Sequence, residues 1–423
     1  MKNLVDTWLR QALARLPESM VPPSGRDVCI EVQRPKDARR GDFASNVALR
    51  LASAARLDPR PLAEAIKSAL PPDAALAEVQ IAGAGFLNFF LSERSYHDEI
   101  RRALRDAGEF GKFDVGQGRT LEVEVASVDP EGPLHAGHAR QAAFGASVAA
   151  LLEAAGYRVV RECRIAPASH RLARSAAGVH RPRADGCAAD LAALRQELSE
   201  FGVTFDSWRL GGCGGLGGRG GLGASGAVED SESAAAPALL RGGRKPSAPV
   251  LPGERVTLRA LRAEVGNDAV RLFCVMRGRD QPLLFDLDLA RARSFDNPLY
   301  SVQYAHARIG SVQRQLEDRG LEFHPAGAAA SLGLLAEPLE RTLMRRVGAY
   351  RETIEQSANE RAPQLLARYL GGLAEDFHTY YAAHPLVVPD ALLRDARLAL
   401  VSAVRVVIRN GLRLLGVAAP DTV

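Results

Sequence analysis

The spacing of apolar residues divides the chain into texts of different period. Over the first 113 residues, helical spacing predicts helices at Val5 to Leu16, Phe43 to Leu57, Pro61 to Leu70 and Arg94 to Asp106. Strand-like runs fall at Val28 to Val32, Glu78 to Ala82 and Phe86 to Leu91, so this stretch reads as an α+β module. Leu121 to Ser127 (LEVEVAS) alternates as a half-buried strand, Gln141 to Ala155 has helical spacing, and Tyr157 to Cys163 (YRVVREC) is β-rich. Together these predict the β-α-β opening of a Rossmann-like nucleotide-binding sheet. Ala189 to Trp208 reads as a further helix and strand. From about Ser294 onward the text is helical, with helices expected at Tyr300 to Leu316, Ala336 to Gln356 and Pro363 to Ala383. A last helix carries its stripe at Leu393, Ala396, Leu400, Val404 and Val407, with Gly416 as its C-terminal cap.

The period is lost at 166–188 and again at 211–252, where arginine, alanine and proline, then glycine, dominate. Glycine fills more than half of Gly211 to Gly226, a composition that packs no core and reads as low complexity or disorder. Domains are therefore expected at 1–113, 119–290 with its degenerate stretches, and 294–423. At 423 residues the chain has room for each to bury its own core.

Charge and cysteines change this picture little. A net charge of +4 permits an anionic partner such as nucleic acid without demonstrating one. The five cysteines (Cys29, Cys163, Cys187, Cys213 and Cys274) have no C-x-x-C spacing, so neither a disulfide framework nor a metal site is expected. No apolar run reaches membrane-spanning length, and the charged, amphipathic first helix does not read as a signal peptide. Cytoplasm is the expected compartment.

The candidate chemistry lies at Leu134 to Arg140 (LHAGHAR), a strand-to-helix turn. There the first helical amides and the positive end of the helix dipole face an anion, and Gly137 lets a ligand approach the backbone. His135 and His138 can donate hydrogen bonds to phosphate oxygens whose charge grows in a transition state. By itself a His-x-Gly-His tetrapeptide is also compatible with a structural or chance origin.

Its flanks carry more. Val123 to Arg140 (VEVASVDPEGPLHAGHAR) resembles the signature of class I aminoacyl-tRNA synthetases, specifically of the arginyl enzymes. Gly41 to Asn46 (GDFASN) and Ile81 to Phe89 (IAGAGFLNF) resemble that family's N-terminal tRNA-binding domain. Val256 to Asp288, Asp296 to Ile309 (DNPLYSVQYAHARI) and Ile408 to Pro420 resemble the segments C-terminal to its catalytic domain. The resemblance implies an N-terminal tRNA-binding module, a truncated Rossmann-like catalytic domain and a helical anticodon-binding bundle. It implies an arginine–tRNA ligase acting on ATP with Mg²⁺, L-arginine and tRNA-Arg, with no tightly bound cofactor, as a monomer. It places Pro133, His135, Gly137 and His138 at ATP, and Glu124, Ser127 and Asp129 at the arginine. A carboxylate at Glu124 suits a planar guanidinium. Asn46, Tyr304 and Arg308 fall at tRNA, with Arg34, Lys36, Arg39, Arg40 and Asp42 as further candidates whose plainer reading is a solvated charged face. Arg345, Arg346, Arg351, Arg361 and Arg405, with Phe377, Tyr380 and Tyr381, are candidates for backbone neutralisation and base stacking, although spacing alone favours core positions for the aromatics.

The sequence also departs from the family. Asp129 and Glu131 stand where the family has asparagine and threonine, adding negative charge beside a triphosphate. Its Lys-Met-Ser-Lys-like loop is matched only by KPSAP at Lys245 to Pro249, which offers one catalytic lysine, Lys245. The segment between His138 and Lys245 is much shorter than the family's. These departures predict impaired activation, either in a tRNA-binding paralogue or relic, or in a synthetase sequence altered by a frameshift or internal deletion. An alternative from another class is a nucleotidyltransferase acting on a small molecule.

Overall fold

A computed structural model describes residues 1–18, 20–21, 29–35, 37–55, 57–128, 133–165, 184–210, 239–241, 256–321, 323, 325–328 and 330–423. Asp129 and Lys245 lie outside these residues, as do Lys36, Glu131, most of both aperiodic stretches, and the KPSAP segment. The chain divides into two compact units. One comprises Met1–Arg105, His324–Glu352 and Val387–Leu400; the other comprises Asp106–Phe323, Thr353–Leu386 and Val401–Val423.

The first unit opens with helix α1 (Lys2–Arg15), whose Val5, Trp8, Leu9, Ala12 and Leu13 form a buried stripe. Strands β1 (Val32–Gln33), β2 (Phe43–Ser45), β3 (Leu76–Ala82) and β4 (Phe86–Leu91) make an antiparallel sheet in the order β1-β2-β4-β3. Helices α2 (Val47–Ala55), α3 (Pro59–Ala69) and α4 (Glu93–Asp106) complete this part. The helix expected over Phe43 to Leu57 is thus a strand followed by a shorter helix. Gly41 has φ +93, and a Cβ there would lie 2.7 Å from the Phe89 carbonyl. That close passage brings Phe43 into register with Phe89 before the helix begins. The strand expected at Val28 to Val32 is seen as the short β1.

In the second unit β5 (Thr120–Val128), β6 (Arg158–Ile165) and β7 (Ser207–Leu210) form a parallel sheet in the order β5-β6-β7. Helix α5 (Ala136–Ala154) crosses from β5 to β6 and packs Val148, Ala149 and Leu152 against Val159, Leu121 and Val123. Helix α6 (Ala184–Glu200) leads into β7, and β8 (Leu239–Arg241) pairs in parallel with β9 (Leu284–Asp286). Helices α7 (Leu258–Val265), α8 (Asn267–Val275) and α9 (Leu287–Arg291) precede the long helices α10 (Pro298–Asp318), α11 (Pro338–Asn359), α12 (Pro363–Ala383) and α13 (Ala391–Leu414), of which α11 as far as Glu352 and α13 as far as Leu400 belong to the first unit. Pro363 at the first position of α12 and Asn297 capping α10 are starts that the sequence announces. At the end of α13, Gly416 adopts φ +67, with Val417 N–H donating to Leu412 O at 2.9 Å and Gly416 N–H to Arg413 O at 3.0 Å. This is the paired closure of a Schellman motif.

Arg271 ties this unit together. Its side chain is buried, and its guanidinium donates to Phe201 O at 2.9 Å, Gly202 O at 3.1 Å and Leu415 O at 3.3 Å. Burial pushes its pKa down to about 10, so it stays charged at neutral pH. The carbonyls it meets lie at the ends of α6 and α13, where helix dipoles favour a cation.

Candidate active site

His135 takes the N-cap position of α5 with extended backbone, φ −121 and ψ 175. Its ring Nδ1 accepts the Gly137 N–H at 3.1 Å, while His135 N–H donates to His138 Nδ1 at 3.4 Å. The two rings stack with centroids 3.7 Å apart and planes 22° from parallel. A neutral imidazole whose Nδ1 accepts carries its proton on Nε2, so this reciprocal cap fixes both rings as Nε2–H donors. Gly137 has a specific reason to lack a side chain: a Cβ there would come within 3.0 Å of the His135 ring. Pro133 and Gly137 are exposed at this turn.

A second helix start reaches the same turn. Leu258 N–H donates to Leu134 O at 2.7 Å and Ala136 N–H to Val256 O at 3.2 Å, bridging His135 and Thr257. Thr257 caps α7 by accepting Ala260 N–H at 3.2 Å. The positive ends of α5 and α7 therefore converge beside the stacked imidazoles, an arrangement suited to a polyanion.

Glu124 and Ser127 lie on β5. Three residues apart on a regular strand, they would face opposite sides of the sheet. The register shifts between Glu124 and Ala126, so Glu124 pairs with Glu162 and Ser127 with Arg164 on one side. This bulge returns Ser127 to the face that Glu124 uses. The face is ionic: Arg164 pairs with Glu124 at 3.0 Å, and Arg209 pairs with Glu162 at 3.0 Å and with Glu122 at 3.4 Å. The opposite face packs on α5, where a Cβ on Gly145 would lie 2.5 Å from Val125 O.

The helical part of this unit carries a half-buried aromatic group around Tyr304 and Arg308, with Phe295 exposed at its edge. Arg308 donates to the Tyr304 hydroxyl at 3.0 Å and lies 4.7 Å from the centre of the Tyr381 ring. Tyr300 and Tyr304 stack at 5.5 Å, and Phe295, which is 57% exposed, stacks on His378 at 4.3 Å. His378 is fixed through Nε2 to Ser301 O at 3.0 Å. Phe377 and Tyr380 are fully buried and belong to the core. Arg405 pairs with Asp421 at 2.5 Å. Phe295, Tyr300 and His378 are not among the residues that the sequence singles out; an aromatic set among charged residues in ARSFDN is the available signal for Phe295.

Asn46 lies in the other compact unit, half-buried at the start of α2, with its amide donating to Glu31 at 3.4 Å. Its neighbours in the GDFASN motif are structural. Asp42 accepts Leu91 N–H at 2.8 Å and the Tyr96 hydroxyl, and Arg345 approaches it at 3.6 Å. Arg34 pairs with Glu352 at 2.6 Å and lies over the Phe43 ring, while Arg39 pairs with Asp37 at 3.0 Å.

A parallel sheet entered through a His-x-Gly-His turn, with a helical bundle after it, defines a class I nucleotide-activating architecture of the synthetase type. Residues 3–91 match the arginyl tRNA synthetase N-terminal domain, and residues 302–423 match the DALR anticodon-binding domain. The arginine–tRNA ligase of Thioalkalivibrio sulfidiphilus is 33% identical, with both chains covered in full, and that of Halorhodospira halophila is 35% identical, also over all of both chains. The arginyl-tRNA synthetase of Thermus thermophilus shares the fold, with a TM-score of 0.70 at 19% identity over the whole of both chains. This chain belongs to the arginine–tRNA ligase family. Its alignment with the Thioalkalivibrio enzyme nevertheless spans 585 positions against the chain's 423 residues, so that relative carries internal sequence that faces gaps here.

Proposed function

We propose that this chain binds ATP, L-arginine and tRNA-Arg as its family does, but activates arginine poorly. The observation that carries the reading is the internal shortfall against a relative covered from end to end. Activation joins the arginine carboxylate to the α-phosphorus of ATP and expels pyrophosphate, so it depends on positioning and on charge stabilisation at the leaving group. In this reading His135 and His138 donate from Nε2 to phosphate oxygens, and Pro133 and Gly137 line the nucleotide. Glu124 and Ser127, turned to one face by the bulge, take the arginine with Asp129. Lys245 is the one cation offered by the KPSAP segment for the pyrophosphate. ATP enters with Mg²⁺.

The tRNA reading rests on the aromatic group. Tyr304 and Arg308, with Phe295 and His378 beside them, present stacking faces and a cation to an unpaired stretch of RNA. Asn46 is the proposed contact in the N-terminal module. We take 1–113, 119–290 and 294–423 as the functional modules, working as a cytoplasmic monomer.

The test is ATP-dependent charging of total tRNA with labelled arginine, beside His138→Ala and a tRNA gel shift. Weak or absent charging with a retained shift is expected. Charging at the rate of a full-length relative would overturn the impairment, and loss of the shift would overturn tRNA binding.

A further inference from the structure

The ionic face of the parallel sheet holds three carboxylates, Glu122, Glu124 and Glu162, and two guanidiniums, Arg164 and Arg209. Arg209 reaches from β7 to Glu162 and Glu122. Arg164, on β6, lies beside Ser127 in the strand register and places its guanidinium 3.0 Å from the Glu124 carboxylate. A guanidinium is the chemical group that Glu124 would receive from the amino-acid substrate.

We propose that Arg164 is an internal competitor for substrate arginine at Glu124. The inference rests on the reading of Glu124 as the arginine carboxylate. An incoming arginine must displace the Arg164 fork from Glu124 or share the carboxylate with it, placing two like charges side by side. Both partners are partly exposed, with side-chain exposures of 48% for Arg164 and 33% for Glu124. The pair is therefore weak enough to open, and the competition lowers affinity rather than abolishing it. Arg164 is thus a determinant of substrate affinity that acts through Glu124.

Equilibrium dialysis of the full chain with labelled L-arginine tests this, using Arg164→Ala, Arg164→Gln, Glu124→Gln and the Arg164→Ala/Glu124→Gln double variant. Citrulline serves as the neutral isostere. Removal of Arg164 is expected to tighten arginine binding about 2- to 5-fold, the range of an exposed ion pair. The gain should vanish in the Glu124→Gln background and be absent for citrulline. The Gln variant keeps most of the side chain, so agreement between both Arg164 variants separates competition from misfolding. If Glu124→Gln weakens arginine binding but neither Arg164 variant tightens it, Glu124 holds the substrate and competition is refuted. If arginine binds equally well without the Glu124 carboxylate, the reading of Glu124 itself falls and takes the competition with it. Failure of every chain to bind arginine also refutes the proposal, because removing the competitor should open the site.

Discussion

His135 performs two tasks that a pair of substitutions can separate. As N-cap, its Nδ1 satisfies the Gly137 amide; as a member of the stacked pair, it is the proposed donor, through Nε2–H, to a phosphate oxygen. His135→Ala removes both. Loss of an N-cap costs about 1 kcal/mol, which lowers the melting temperature of a unit this size by about 2–3 °C. Loss of a hydrogen bond to a charged phosphate costs about 1.5–3 kcal/mol, or about 10- to 150-fold in ATP affinity. His135→Asn restores an oxygen at the cap, where asparagine is among the best residues, but its short amide does not reproduce the imidazole donor. Calorimetric melting and equilibrium dialysis with ATP should therefore show the alanine variant impaired in both, and the asparagine variant impaired in ATP binding alone. Wild-type ATP affinity in His135→Asn would refute the assignment of the ring as a phosphate donor and leave only the helix amides. A wild-type melting temperature in His135→Ala would refute the cap.

Other contacts carry expectations of their own. Arg271→Met strands three carbonyls, two of them in buried hydrogen bonds, and should cost about 3–5 kcal/mol, read as a lowered urea midpoint; an unchanged midpoint would show that the three bonds contribute nothing net. Gly416→Ala forces a Cβ to 2.0 Å from the Arg271 guanidinium at φ +67 and should cost about 2–4 kcal/mol, with a wild-type melt as the refuting result. Tyr304→Ala should weaken the tRNA shift at all salt concentrations, whereas Arg308→Ala should also reduce the salt slope by about 1; equal slopes would remove Arg308 from the phosphate contacts. Burial depresses the pKa values of His306 and His378 in the folded chain, the Pro420 and Ser301 carbonyls opposing it only in part. The unfolded chain then binds more protons, so stability should fall as pH drops below the ordinary histidine value of about 6.5. A melting temperature flat from pH 7 to pH 5 in chains with both histidines, or a fall equally steep without them, would contradict this.

Much of the architecture is legible because apolar period survives in the text. Phe86 to Leu91 and Pro363 to Ala383 match their elements residue for residue, and Gly416 announces its helix end. Phe43 reads wrongly as helix because an apolar run with helical spacing can also be a short strand, and only the passage of Gly41 along Phe89 decides between them. Helix α5 begins five residues before the expected Gln141, because histidine is not a usual cap and its partner is another side chain rather than a local sequence signal. The histidine turn is visible in the sequence, but the tautomers that make both rings donors emerge only from the hydrogen bonds. The Arg164–Glu124 pair is hidden for a similar reason: the two residues are far apart in sequence and meet only through strand register.

The shift in register after Glu124 works as a phase change in the strand. Before it, acidic side chains and the apolar contacts of α5 alternate in one order; after it the order is reversed relative to chain numbering. Inserting a single residue beside Val125 would leave a strand of almost the same length and composition, yet turn Ser127 toward α5, whereas removing Val125 itself would only regularise the strand and keep Ser127 on the face of Glu124. The chain is thus sensitive at this point to a change in residue count more than to a change in residue type. A scan of conservative replacements across β5 would not detect that, whereas one insertion would.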